Sequence, residues 1–324
     1  IVDVDVLENI VVEMTRGWLD HFMTEILREK GEANGLKYFR RFKNAFSLSY
    51  QEYYDARTAI EDIKLIDSLN EPGDIAMHFF KPVGGGKNEL RFKVLRQHAP
   101  IELSNVIPLL ENLGLRVIGE HPYNVHFACE KNREQTVWLH DFLLRAGVDT
   151  DAELDEVASL FKEAFSAVWQ EQAESDGFNR LVLTANLRLR EVAMLRAYAG
   201  YMRQTAFTFS RSYIAKVLVK HAKLAAQLVA LFKLIFDPRI NFQNSKSAEQ
   251  IQQVTDKIIA QLEAVTNLNE DQILRRYLEL INATLRTNYF VDYQGLSQAD
   301  CLTLKFSPRN ISDIPEPKPQ YEIY

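Results

Sequence analysis

The spacing of apolar residues divides the chain into a helical, an alternating and again a helical regime. Trp18, Phe22 and Ile26 recur every four positions and predict a helix that Gly31 ends. Leu36, Phe39, Phe42 and Phe46 mark a short aromatic-faced helix. Ser49 with Glu52 three residues on is a capping-box pattern, opening a third helix whose face holds Tyr53, Ala56, Ile60 and Ile63. Glu71-Pro72-Gly73 then breaks the run and the period falls to two. Ile75, Met77 and Phe79 alternate with Ala76, His78 and Phe80; beyond a turn at Pro82 to Gly86, Leu90, Phe92 and Val94 alternate with Arg91 and Lys93. This predicts a hairpin with a half-buried second strand. Ser104 or Asn105 can cap a short helix ending at Gly114; with Asn105 as cap, Pro108 falls in a first turn that loses no bond to its missing N–H. Strand patterns resume at Leu115 to Gly119, at Val125, Phe127 and Cys129, and from Thr136 to Leu143. Thr150 and Glu153 form a capping box for a helix striped by Leu154, Val157, Phe161, Phe165 and Val168.

A strand–helix–strand–strand–helix order predicts an α+β fold: an ACT-like or ferredoxin-like antiparallel sheet module with helices on one face, flanked by largely α-helical modules. From Asp176 to about Asn288 the pattern is helical again. Ile251, Val254, Ile258, Leu262 and Val265 form one stripe, with Ser247 and Gln250 as its capping box, and Ile273, Tyr277, Ile281 and Leu285 form the next. Pro315, Pro317 and Pro319 predict an extended end. The expected division is a helical segment 1–70, an ACT-like domain 71–172, a helical domain 173–290 and an extended connector 291–324.

Composition sharpens this picture in a few respects. Apolar residues make up 47% of the chain and charged residues 25%, enough apolar material for packed cores. A formal net charge of −6 argues against a nucleic-acid partner. The longest apolar stretch, Leu224 to Phe236, is interrupted by Gln227 and Lys233 and is too short for a bilayer, so no membrane partner is expected. Cys129 and Cys301 belong to no ligand pattern and read as reduced thiols of a cytoplasmic protein. Ile1 in place of an initiator Met suggests an internal segment of a longer chain.

Candidate chemistry is sparse. Pro82 to Lys87 resembles a phosphate loop, but Lys81 stands where the first glycine belongs, Asn88 follows Lys87, and strand signals flank both sides; a hairpin turn is the better reading. His140-Asp141 could suggest an oriented base, yet neighbours in a strand point to opposite faces. Ser210 and Ser212 have no defensible His and Asp partners. The densest polar stretch is Asp176 to Arg180 followed by Arg188, Arg190, Arg196 and Arg203. These four arginines are the candidate interface or anion contacts, set against a plainer reading of an Asp176 cap and solvated side chains.

Longer stretches carry a resemblance: YFRRFKNAF from Tyr38, LSNVIPLLENLGLRVIGEHP from Leu103, ESDGFNRLVL from Glu174, LRAYAGYMRQ from Leu195, LRTNYF from Leu285, and LKFSPRNISDIPEPKPQYEIY from Leu304. Together they resemble the large-subunit bacterial NAD-dependent glutamate dehydrogenases over nearly the whole chain. The resemblance implies that the dehydrogenase domain lies beyond Tyr324 and that no catalytic, cofactor-binding or metal residue carries over. Pro82 to Lys87 echoes the family's catalytic glycine-rich motif, but Asn88 and Glu89 replace its final glycines. NAD is then the cofactor of the parent enzyme and of nothing in this stretch. The implied partners are the enzyme's own catalytic domain and the other subunits of a homo-oligomer. Alternatives are an ACT-like amino-acid effector site around His98 to Ser104, weakened by a turn without glycine, and a purely architectural oligomerisation module.

Overall fold

The computed structural model describes residues 17–71, 74–82, 84, 86, 88–97, 99–128, 134–147, 154–205, 207–240, 245–291 and 301–324, without the side chains of 154–156 and 245–247. Two compact units emerge: the described part of Ile1–Pro108 with Arg116–Ala146, and Leu109–Leu115 with Gly147–Tyr324.

In the first unit, α1 (Trp18–Lys30) buries Phe22 and Ile26 as their spacing requires. Gly31 alone joins it to α2 (Glu32–Phe42), at φ 75° and ψ 166°, a region essentially reserved for glycine. Helix α2 folds back closely on α1: a Cβ at Gly35 would lie 2.9 Å from the Leu27 Cα. The expected third helix is instead two, α3 (Leu48–Tyr53) and α4 (Ala56–Asp67). Ser47, not Ser49, caps α3, its hydroxyl accepting from the Tyr50 N–H. Tyr54 is extended, and Asp55 starts α4 by accepting from the Thr58 N–H at 2.8 Å.

Strands β1 (Ile75–Phe80), β2 (Glu89–Gln97), β3 (Leu115–Ala128) and β4 (Glu134–Ala146) form an antiparallel sheet in the order β1-β2-β4-β3, and α5 (Leu103–Asn112) lies between β2 and β3 in sequence. This is the ferredoxin-like arrangement, except that the edge strand beside β2 precedes the other strands instead of following them. The glycine-rich stretch does connect two antiparallel strands, with Phe79 opposite Phe92 and Phe92 opposite Phe142. Strand β3 runs unbroken where two shorter strands were expected. It lies at the sheet edge, where one side of the backbone has no ladder to complete and Pro122 is tolerated. Helix α5 starts earlier than expected, with the Asn105 N–H donating to the Glu102 carbonyl, so Pro108 sits inside the helix.

The expectation of a half-buried β2 fails, because both faces of this sheet are covered. On one face Leu95, Val125, Phe127 and Leu139 join Phe22, Phe42, Phe46, Tyr50, Ile60 and Ile63 of the helices in one core. The covering helices are thus those of the helical segment that the sequence suggested as separate. The other face carries Phe79, Phe92 and Phe142 in a column, with ring centroids 6.4 and 6.3 Å apart.

The second unit contains α6 (Leu154–Trp169), a 3-10 turn (Gly177–Arg180), α7 (Leu181–Thr184), α8 (Leu189–Gln204), α9 (Arg211–Lys220), α10 (Ala222–Phe236), α11 (Ser245–Glu263) and α12 (Leu268–Ala283). The stripe of α6 is buried at Val157, Phe161, Phe165 and Val168, while its Thr150 and Glu153 capping box lies outside the described residues. Helix α11 opens at Ser245, which places Ser247 within it instead of at its cap. Asn267 caps α12, accepting from the Asn269 and Glu270 N–H groups. Ile273, Tyr277 and Ile281 are buried along α12, but the helix stops before Leu285, which falls in β5 (Thr284–Thr287) and is exposed. Strands β6 (Leu304–Phe306) and β7 (Glu322–Ile323) complete a small sheet ordered β5-β6-β7, so the expected connector includes paired strands.

Candidate functional site

The four candidate arginines lie on or next to α8 and do not converge. Arg188 is exposed, and its backbone N–H donates to Glu191 at the helix start. Arg190 donates to the Tyr289 carbonyl and lies over the Tyr289 ring, 4.8 Å from its centroid. Arg203 is exposed. Arg196 is buried, against the reading of solvated side chains: its Nε and Nη2 both reach the Asp176 carboxylate at 3.0 Å, and Nη2 also donates to Asn179. Asp176 also caps the 3-10 turn, accepting from the Phe178 N–H at 3.0 Å, so the expected cap is present. Arg196 therefore ties that turn to α8 within its own module.

Between the 3-10 turn and α9 runs a groove of roughly 620 Å³. Its apolar side is made by Phe178, Ala215 and Val219, and its polar rim by Arg180, Arg211, Lys216 and Lys220 with Glu174 and Asp176. Glu174 is bridged to Arg211 at 2.8 Å. Lys220 and His221 share Glu270, which links the α9–α10 junction to α12, at 2.7 and 2.8 Å. Those hydrogen bonds, His221's foremost, hold the Glu270 carboxyl below its ordinary range.

The first unit contains a second charged cluster, which the period-two reading overlooked. Lys93 Nζ sits 2.6 and 2.9 Å from the Asp62 carboxylate oxygens, with both side chains almost fully buried, and the Tyr50 hydroxyl donates to Asp62 at 2.5 Å. Two residues away, Arg91 grips Asp141 through Nε and Nη2 at 3.1 and 2.5 Å and donates to the Tyr53 and Tyr54 hydroxyls. Burial pushes the Asp62 carboxyl up and the Lys93 ammonium down, each opposed by the other's charge. Burial alone pushes the Asp141 carboxyl up to about 7, and the Arg91 fork is the counterweight that favours its ionised form. A signal for this cluster existed: Asp62 stands among the apolar Ala59, Ile60, Ile63 and Ile66 of α4. His140 and Asp141 do face opposite ways, His140 Nδ1 meeting Glu120 at 2.8 Å while its Nε2 accepts from the Ile101 N–H at 3.3 Å. That N–H lies in the turn suggested for an effector and is already occupied; His98 lies outside the described residues.

The C-terminal strands close onto α8. The Tyr201 ring stacks on Phe306 at 4.1 Å, and its hydroxyl donates to Glu322 at 2.7 Å. The Tyr198 and Thr284 hydroxyls lie 2.8 Å apart, and the Tyr277 hydroxyl donates to the Leu195 carbonyl at 2.9 Å. Burial pushes the hydroxyls of Tyr198 and Tyr277 well above the ordinary tyrosine range.

Four family models match in succession: glutamate dehydrogenase helical motif 2 at residues 25–69, its ACT3 domain at 74–157, its helical motif 3 at 173–238, and the catalytic domain of bacterial NAD-glutamate dehydrogenase at 257–324. Relatives named NAD-specific glutamate dehydrogenase are 40% identical in Halomonas elongata, 37% in Pseudomonas aeruginosa and 32% in Mycobacterium tuberculosis, over 98–99% of this chain. Over nearly its whole length the chain corresponds to a segment of the NAD-specific glutamate dehydrogenases. It spans about 19% of the length of those relatives. The ACT3 match covers the four-stranded sheet, as the ACT-like expectation required. The catalytic-domain match begins within α11, whereas the resemblance had placed that domain wholly beyond Tyr324. Among the described residues no helix is long and apolar enough to cross a membrane.

Proposed function

We propose that this chain is a regulatory and structural segment of an NAD-dependent glutamate dehydrogenase, and that it supports catalysis without performing it. The whole enzyme would convert L-glutamate, NAD and water to 2-oxoglutarate, ammonium and NADH in the cytoplasm, as part of a homo-oligomer. The role of the segment is to hold the start of the catalytic region in place. The observation that supports this reading is the shared core of α8, which matches helical motif 3, and β6–β7, which lie in the stretch matched to the catalytic domain. Tyr201 stacked on Phe306 and bonded to Glu322 joins one to the other through packing and a hydrogen bond.

The test is a matched assay of glutamate-dependent NADH formation by this chain and by one that continues through the residues after Tyr324. Activity in the longer chain alone is the expected result. Substantial NADH formation by the 324-residue chain would sink the proposal.

A further inference from the structure

We propose that the groove between the Gly177–Arg180 turn and α9 binds a small phosphomonoester, with Arg180 and Lys216 as the two arms that hold its phosphate. Four cationic residues line the groove against two acidic ones, in a chain whose net charge is −6. The two acids are already engaged. Asp176 is gripped by buried Arg196, and Glu174 is held by Arg211. Lys220 is committed to Glu270. Among the described residues Arg180 reaches a main-chain oxygen alone, its Nε lying 3.4 Å from the Glu111 carbonyl, which leaves the rest of its guanidinium fork open to them. Lys216 is exposed and has no carboxylate partner among the described residues.

The surroundings favour a tetrahedral dianion with an apolar body. Ser212 lines the groove in the first turn of α9, where the N–H groups of Arg211 and Ser212 have no intrahelical acceptor. Ser210 takes the next two N–H groups, of Tyr213 and Ile214, through its hydroxyl and its carbonyl. A forked cation and a point cation, beside a Ser212 hydroxyl that also meets the Ser210 hydroxyl at 3.1 Å, suit three phosphate oxygens better than one planar carboxylate. A groove of roughly 620 Å³ exceeds the need of a bare phosphate, and Phe178, Ala215 and Val219 offer the remaining wall to an apolar substituent. A bound ligand would join the 3-10 turn to α9 at a point where Arg196 already ties the turn to α8. The inference stands apart from the dehydrogenase reading, since it concerns binding by this chain.

The experiment is titration calorimetry on the 324-residue chain with phenyl phosphate, inorganic phosphate, phenol and succinate. Phenyl phosphate is expected to bind tightest, inorganic phosphate to compete with it, and phenol and succinate to bind far more weakly. Arg180→Gln and Lys216→Gln, both at exposed positions, should each weaken phenyl phosphate by about tenfold or more. Lys223→Gln, an exposed lysine that does not line the groove, should leave the affinity unchanged. No binding at millimolar phenyl phosphate, affinity unchanged from the parent in the Arg180 and Lys216 variants, or succinate binding as tightly as phenyl phosphate would each overturn the assignment.

Discussion

Asp62 and Lys93 are oppositely charged and both almost entirely removed from water, so neither is tolerated without the other. Asp62→Asn should destabilise the first unit by about 3–5 kcal/mol, because it strands an ammonium in the core. Urea unfolding followed by far-ultraviolet circular dichroism checks this. The double substitution Asp62→Leu with Lys93→Met should recover much of the loss, since an apolar pair needs no counter-charge. Equal destabilisation by the single and the double variant would refute the account. The same residues show where sequence reading stops. Alternation in β2 assigned Arg91 and Lys93 to the solvent face, on the premise that charge means exposure. Charge means exposure only when no partner waits opposite. Asp141 and Asp62 are supplied by β4 and α4, at sequence separations that no local pattern spans.

Among the elements, long apolar stripes were readable and joints were not. The stripes of α1 and α6, and that of α12 as far as Ile281, appear where their spacing placed them, because a 3.6-residue period survives most details of the neighbours. The break between α3 and α4 was hidden because two capping motifs, at Ser47 and Asp55, compete within eight residues of a continuous apolar pattern. Gly35 presents the opposite case, a residue whose importance comes wholly from its neighbour. Gly35→Ala should gain up to about 1 kcal/mol in helix propensity. It should nevertheless lose a net 1–2 kcal/mol or so, as the new methyl meets the Leu27 backbone and separates α1 from α2. A thermal melt distinguishes the two signs. Glu270 governs a joint through charge. Its carboxyl is held below the ordinary range, so the stability it contributes is present above about pH 4.3 and is lost as pH falls through its lowered value. Glu270→Gln should therefore be less stable than the parent at pH 7, with the difference shrinking below pH 4 in melts taken across that range.

At the scale of the molecule, the sheet module was legible and the role of the last residues was not. Strand–helix order announces an α+β sheet, but three prolines near the end gave no hint that the strands on either side of them pair with each other, that β6 also pairs with β5, or that they cover α8. Tyr201→Ala removes both a stacked ring and the hydrogen bond to Glu322. It should cost about 3–5 kcal/mol locally. Hydrogen exchange at 304–306 and 322–324 should accelerate while α6 stays protected; uniform acceleration across the unit would show instead that the whole unit unfolds together. The shared core also limits how relatives can be recombined. A chimera joined between residues 238 and 257, after the helical-motif match ends and before the catalytic-domain match begins, would pair the tyrosines of one lineage with the Phe306 and Glu322 positions of another. Crossovers placed outside the stretch from α8 to β7 keep that interlocking surface intact, so the inheritable unit of this architecture is longer than its helical module and runs into the stretch matched to the catalytic domain.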